Sequence, residues 1–171
     1  SMNLYRQIES HGGIGIMWKA GHSLIKAKMK ETGAALAGEV SGHIFFADGF
    51  FGFDDATYAG ARLLQLVADS GQRMSQLLED VPPLYNTPEI RVDAPESEKF
   101  KIVRRLQDYF SRHYETVTVD GVRVLFEDGW GLVRASNTQP ALVLRFEASS
   151  LDRLEKIRSI VELKLKEVRR N

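Results

Sequence analysis

The sequence predicts an α/β segment followed by a two-layer α+β domain, in which helices cover one face of a four-stranded antiparallel sheet. Three observations carry this expectation. Between residues 14 and 69, short apolar runs alternate with helical stripes. Residues 95–168 read instead as helix, four strands, helix. Between the two patterns Pro82, Pro83 and Pro88 break the periodicity and Asp93-Ala-Pro95 opens a new unit, so the domains are expected to be 1–92 and 93–171.

Residues 2–10 are polar and weakly helical, and His11-Gly12-Gly13 ends them. An apolar strand is expected at 14–18, after which Gly21 turns the chain into a helix over 22–31 with Leu24, Ile25 and Met29 on one face. Short strands are expected at 34–38 and 44–46. Asp54-Asp55 suits a helix start, because short side-chain oxygens satisfy the free N–H groups of a first turn. The helix then runs to Asp69 as a core helix, with Ala56, Ala59, Leu63, Leu66 and Val67 on its apolar face. Phe45, Phe46, Phe50, Phe51 and Phe53 read as packing beside it, with stacking on a sugar ring as the alternative. Ser70-Gly71 stops the helix, and a further helical turn is expected at 75–79.

Residues 85–92 make one more strand, which Pro88 places at an edge or bends. A helix over 95–112 follows, with Phe100, Val103, Leu106 and Phe110 as its stripe. Asp120-Gly121 is the strongest hairpin signal, since a two-residue type I′ turn needs φ > 0 at both positions. It should join strands at 116–119 and 122–126. Strands at 130–135 and 141–148 come next, the latter with Leu142, Leu144 and Phe146 on one face and Val143, Arg145 and Glu147 on the other. The last helix, 151–168, carries Leu151, Leu154, Ile157, Val161, Leu165 and Val168 at helical spacing. Its acidic residues come early and its basic ones late, which opposes the helix dipole.

Composition narrows the function. Lys+Arg and Asp+Glu are equal at 23 each, so no global field draws nucleic acid, and the basic tail reads as a solvated helix end. Cysteine is absent, which removes disulfides, thiolate metal sites and thiol nucleophiles and fits the cytoplasm. No apolar run approaches the ~18–20 residues of a membrane span, so no membrane partner is expected. Ser1 before Met2 reads like a tag remnant, and the chain is expected to start partway through a longer protein.

Three stretches carry chemistry. In Arg134-Ala-Ser-Asn-Thr-Gln-Pro140 an arginine fork, two hydroxyls and a tight polar turn suit phosphate oxygens. A solvated turn with an incidental arginine has the same composition, and residues alone leave both readings open. In Gly38-Glu-Val-Ser-Gly-His43, Glu39 and Ser41 share a side if the segment is extended, an arrangement that holds a vicinal diol. A polar hairpin tip is the plain alternative, and metal binding lacks a third nearby ligand. Lys19-Ala-Gly-His22-Ser23 sets a lysine, a histidine and a hydroxyl at a helix N-terminus, where anions are favoured, although His22 also suits a cap.

The wider frames Met-Trp-Lys-Ala-Gly-His-Ser, Gly-Glu-Val-Ser-Gly-His-Ile-Phe-Phe, Phe-Gly-Phe-Asp-Asp and Gly-Trp-Gly-Leu-Val-Arg-Ala-Ser-Asn-Thr resemble the α-D-phosphohexomutase superfamily. They look closest to its bacterial phosphomannomutase/phosphoglucomutase branch; Val40 after Glu39 is similar to that branch, whereas phosphoglucosamine mutases usually carry Gln there. The resemblance implies the later part of a three-layer α/β third domain followed by the whole fourth domain of a four-domain isomerase. That enzyme would interconvert hexose 1-phosphate and hexose 6-phosphate, of mannose or glucose, through a bisphosphorylated intermediate. By resemblance Glu39, Ser41 and His43 bind the sugar, Arg134, Ser136, Asn137 and Thr138 bind the phosphate, His22 assists and Lys19 is a weaker candidate. The family's phosphoserine loop and its Asp-Gly-Asp-x-Asp-Arg magnesium loop do not occur in this sequence. The fragment alone is therefore expected to be inactive and to bind no cofactor, with Mg²⁺ held outside this chain and the upstream domains as its partners. A truncated sheet edge would favour self-association of the fragment. A stand-alone, non-catalytic phosphosugar-binding module is the alternative.

Overall fold

A computed structural model describes residues 1–170. The chain divides into two compact units, Ile16–Pro82 and a second made of Ser1–Gly15 with the chain from Pro83 onward. The order of fold classes is the expected one, α/β elements first and then helices over an antiparallel sheet. Among the described residues no helix is long and apolar enough to cross a membrane.

Within Ile16–Pro82, helix α2 (His22–Thr32) starts after Gly21, whose φ of +126° few other residues adopt, and ends at Gly33 in the left-handed conformation. Strands β1 (Leu36–Gly38) and β2 (Ile44–Phe46) form an antiparallel hairpin, with Gly38 opposite Ile44. Ile25 and Met29 of α2 bury against Phe45 to make a small core, whereas Leu24 of the expected stripe is exposed. Helix α3 (Ala56–Ser70) begins as expected, with the Asp55 carboxylate accepting the Tyr58 N–H at 2.8 Å. Its burial differs from expectation. None of its residues is buried, and Leu64 is 68% exposed, so α3 is an amphipathic helix with its apolar face open rather than a core helix. The phenylalanines cluster mainly with each other and with Tyr58, on which the Phe50 ring stacks at 4.0 Å. The turn expected at 75–79 is a short 3₁₀ turn, Met74–Gln76.

The apolar run at 14–18 forms no strand. No described strand pairs with it, and a strand needs a neighbour to take its N–H and C=O groups.

The second unit opens with α1 (Met2–Ser10) and continues with β3 (Tyr85–Asn86), β4 (Ile90–Asp93), α4 (Glu96–Phe110), β5 (Thr116–Val117), β6 (Val122–Phe126), β7 (Gly129–Ala135), β8 (Ala141–Ala148) and α5 (Leu151–Arg170). Its sheet has six strands rather than four, because β3 and β4 both pair antiparallel with β8. They are one edge strand interrupted around Pro88, which has no N–H to give the ladder. Thr87 repairs the gap: its N–H reaches the Phe146 carbonyl and its hydroxyl accepts the Phe146 N–H.

Helices α4 and α5 lie on one face, over Leu106, Phe110, Val122, Val124, Val133, Leu142, Leu144, Phe146, Ile157 and Val161, all withdrawn from water. Each of the large side chains contributes about 1.5–3 kcal/mol by that burial. On α4 the buried stripe is Lys99, Ile102, Val103, Leu106 and Phe110, while Phe100 faces out. On the other face Glu147 is buried. Its carboxylate accepts from Trp130 Nε1–H at 2.9 Å and from the Met2 N–H of α1 at 2.8 Å. Burial pushes the Glu147 carboxyl up, but these hydrogen bonds outweigh it and hold the group below its usual range.

The Asp120-Gly121 expectation is corrected. Thr116 pairs with Val124 and Val117 with Arg123, so the connection is longer than two residues, and only Gly121 has positive φ, +82°. The two-residue connection is Glu127-Asp128, between Phe126 and Gly129. Gly121 is needed for a different reason: a Cβ there would meet the Val133 carbonyl at 2.3 Å and Arg134 Cβ at 2.6 Å.

Candidate functional site

The stretch 136–140 is the hairpin loop joining β7 to β8, closed by Ser136 N–H to the Ala141 carbonyl at 2.9 Å. Arg134 is the penultimate residue of β7 and stands opposite Val143, which itself stands opposite Arg91 of β4. Residues directly opposite share a face, so the two arginines lie on one side of the sheet, away from the α4–α5 core. The Arg134 guanidinium is 3.7 Å from Asp120, and Arg91 bonds to Glu89 and to the side chain of Gln139 in the loop.

Inside the loop Ser136 is buried. Its hydroxyl oxygen accepts the N–H groups of Thr138 at 3.3 Å and Gln139 at 3.2 Å, the pattern of a serine turn. The hydroxyl hydrogen is left to donate. Asn137 and Thr138 are exposed at the tip. Arg134, Ser136, Asn137 and Thr138 are thus brought together on one hairpin end, in a loop built around a buried hydroxyl.

The other candidate cluster lies in Ile16–Pro82. Glu39 begins the tip of the β1–β2 hairpin, where its N–H reaches the His43 carbonyl and Gly42 takes a φ of +93°. Its carboxylate accepts the Gly21 N–H at 2.7 Å through Oε1 and the Ser41 hydroxyl at 3.0 Å through Oε2. Gly21 is the N-cap of α2, so the carboxylate sits at the positive end of that helix. His43 Nδ1 is 2.6 Å from Asp54. An ionised carboxylate only accepts, so Nδ1 carries the proton and Nε2 is the nitrogen left for a ligand. The His22 and His43 rings are 6.4 Å apart. Glu39, Ser41, His43 and His22 therefore converge, while Lys19 is exposed.

Sequence reasoning missed three residues here. Asp54 was read with Asp55 as a helix start, yet only Asp55 caps α3 and Asp54 orients His43. Arg91 sat unremarked in a strand. Lys99, 1% exposed, donates to the Ser136 carbonyl at 2.6 Å and the Gln139 carbonyl at 3.1 Å. Its signal was available: it falls three and four residues before Ile102 and Val103, on the buried stripe. Among the described residues no three His, Asp or Glu side chains converge as metal ligands.

Comparison with known proteins covers both units. Residues 1–85 match the family model described as phosphoglucomutase/phosphomannomutase, alpha/beta/alpha domain III, and residues 89–164 match the C-terminal domain model of the same family. A phosphomannomutase/phosphoglucomutase of Pseudomonas aeruginosa is 49% identical over 162 residues, covering 94% of this chain and 35% of that protein. A phosphoglucomutase of Neisseria gonorrhoeae is 48% identical over 155 residues, covering 89% and 34%. The crystal structure of a phosphoglucomutase/phosphomannomutase family protein from Burkholderia thailandensis superposes with a TM-score of 0.87 at 45% identity, covering 98% of this chain and 35% of that one. The chain thus spans about a third of the length of the curated relatives it matches.

Proposed function

Because the chain belongs to the phosphoglucomutase/phosphomannomutase family, we propose that it is the C-terminal, substrate-binding portion of an enzyme that interconverts hexose 1-phosphate and hexose 6-phosphate. The substrates are the glucose and mannose phosphates, the reaction passes through a bisphosphorylated intermediate, and the enzyme works in the cytoplasm. The domain division is part of the proposal, 1–92 as the later part of the third domain and 93–171 as the fourth. The pairing of β3 and β4 with β8 favours bringing 85–93 to the sheet of the latter.

One observation supports the reading: the Arg134–Pro140 loop is organised from behind, with two of its carbonyls held by Lys99, so that the arginine, the hydroxyls and the Asn137 amide groups are left for an anion. Arg134 offers the phosphate a planar fork, Ser136 and Thr138 offer hydroxyls, and Asn137 offers its amide. Glu39 is suited to a vicinal diol, since each of its two oxygens already takes a donor and Ser41 can yield its place to a sugar hydroxyl. His43, fixed by Asp54, presents Nε2 beside the diol, and His22 assists. When one phosphate reacts, the other must be held, and binding energy from that remote group positions the reacting end.

The residues present do not fit Mg²⁺. Glu39 is already engaged by the Gly21 N–H and Asp54 by the His43 imidazole, and among the described residues no three His, Asp or Glu side chains are grouped to hold a metal ion. We assign the metal and the phosphoryl-carrying serine to parts of the protein outside this chain. The chain alone then binds hexose phosphate weakly and shows no mutase turnover. Titrating glucose 6-phosphate and mannose 6-phosphate into ¹⁵N-labelled chain should move the amides of 134–138 and 39–43. Unmoved amides at both loops would sink the binding role, and family-like turnover in a coupled assay would sink the inactivity.

A further inference from the structure

Lys99 is the most deeply buried charged side chain in the molecule, at 1% exposure, and it lies outside every residue so far given a binding role. A lysine at such depth is expensive unless each ammonium hydrogen finds an acceptor. Here the ammonium has three oxygens within reach: it donates to the Ser136 carbonyl at 2.6 Å and the Gln139 carbonyl at 3.1 Å, and it pairs ionically with the Glu96 carboxylate at 2.8 Å. Two of the three are backbone groups of one five-residue loop, so the side chain fixes main-chain direction rather than packing alone.

That direction matters. In a planar trans peptide the C=O and the following N–H point opposite ways, and the chain has no cis peptide. Turning the Ser136 carbonyl onto Lys99 therefore turns the Asn137 N–H to the opposite side. The Gln139 carbonyl is held twice, by Lys99 and by the Ala141 N–H at 2.8 Å, and its peptide partner Pro140 has no N–H to misdirect. Ser136 then gathers the Thr138 and Gln139 N–H groups on its own oxygen. The loop's acceptors face inward to a cation, and Asn137 N–H faces away from it.

We propose that Lys99 is a positioning residue that sets this loop in its anion-binding conformation before any ligand arrives and lends it positive charge from behind. The inference rests on the phosphate-binding reading of the loop and adds to it a residue that never touches the phosphate. Preorganised donors bind better because their ordering is not charged against the ligand.

The test uses ¹⁵N-labelled chain, wild type and Lys99→Met, which keeps the length of the stem and removes the ammonium. Without ligand, the Met variant should lose the slow exchange of the Ser136 N–H and show added fast motion at 136–139, while core amides of β8 and α5 stay as they were. Inorganic phosphate should then bind at least about tenfold more weakly, the order expected for a lost charge-assisted contact. The chain has no cysteine, so Lys99→Cys, alkylated with bromoethylamine while unfolded and then refolded, rebuilds a lysine-like ammonium at this position alone. Loop order and affinity should both return, which separates the charge from the volume and covers a Met variant that fails to fold. A loop equally ordered in wild type and the Met variant, or in the Cys variant before and after alkylation, overturns the role of Lys99. A wild-type chain that binds no phosphate strikes instead at the phosphate reading, and the loop-order comparison still decides the role of Lys99.

Discussion

Replacing Arg134 by Ala removes the fork beside Asp120, and phosphate affinity should fall by about 2–4 kcal/mol, the range for a lost charge-assisted contact with its partner left poorly paired. Calorimetric titration with a hexose phosphate reads it directly. Ser136→Ala acts differently from a simple loss of one donor, because the buried hydroxyl gathers two backbone N–H groups. It should lower stability by about 1–2 kcal/mol as well as weaken binding, seen as a shifted urea midpoint. Gly121→Ala reaches the same site through the backbone. Its new Cβ would strike the Val133 carbonyl and Arg134 from a φ of +82°, so a stability loss of about 1–3 kcal/mol should come with weaker phosphate binding. A Gly121→Ala chain that melts and binds like wild type would refute that link. At this scale the sequence showed the donors plainly and their supports only as a break in a pattern. Arg134, Ser136 and Glu39 stand in motifs, whereas Lys99 stands in an apolar stripe where a lysine reads as an interruption. Its two carbonyl acceptors, Ser136 and Gln139, meet it only after residues nearly forty apart in sequence have folded together.

Between elements, the β6–β7 connection is tied to the first turns of α5. The Arg153 guanidinium grips both oxygens of Asp128, Ser149 N–H bonds to the Asp128 carbonyl, and the Ser150 hydroxyl accepts the Arg153 N–H. The hydrogen bonds from Arg153 hold the Asp128 carboxyl below its usual range. A carboxyl whose pKa is depressed by folding contributes stability that is fully present above its unfolded value and is lost as pH falls through the folded one. Asp128→Asn should therefore be slightly less stable than wild type at neutral pH, with the difference fading in acid. Urea midpoints across the acid limb check both sign and window. Element boundaries were legible where a local group sets them: Asp55 caps α3, Gly71 ends it, and Pro88 interrupts the edge strand. They were illegible where a neighbour decides. The run at 14–18 has strand composition but no strand beside it, and Asp120-Gly121 has turn composition but a register set by β7, whose backbone crowds Gly121.

Across the whole molecule the unequal cores of the two units govern solution behaviour. The unit built on the six-stranded sheet buries a broad apolar layer, while Ile16–Pro82 centres on Ile25, Met29 and Phe45 and leaves Leu63, Leu64 and Leu66 of α3 open to water. Exposed apolar surface of this kind drives association, so the chain should shift toward dimers or larger species as its concentration rises. Leu64→Glu should reduce that shift without lowering the melting temperature, because the side chain gives up little burial. Sedimentation velocity over a concentration series measures it, and a wild-type chain that stays monomeric throughout would dismiss it. The hydrogen bonds that shape the two candidate loops respect the same division. Lys99, Arg91 and the Ser136 turn belong to one unit, and Gly21, Ser41 and Asp54 belong to the other. Under the proposed roles, grip on the phosphate and hold on the sugar are encoded in separable stretches of gene. Mutation can retune one while selection leaves the other untouched, and recombination between relatives at residues 15 and 82 would exchange the proposed sugar loop as a cassette, with the proposed anion cradle inherited whole.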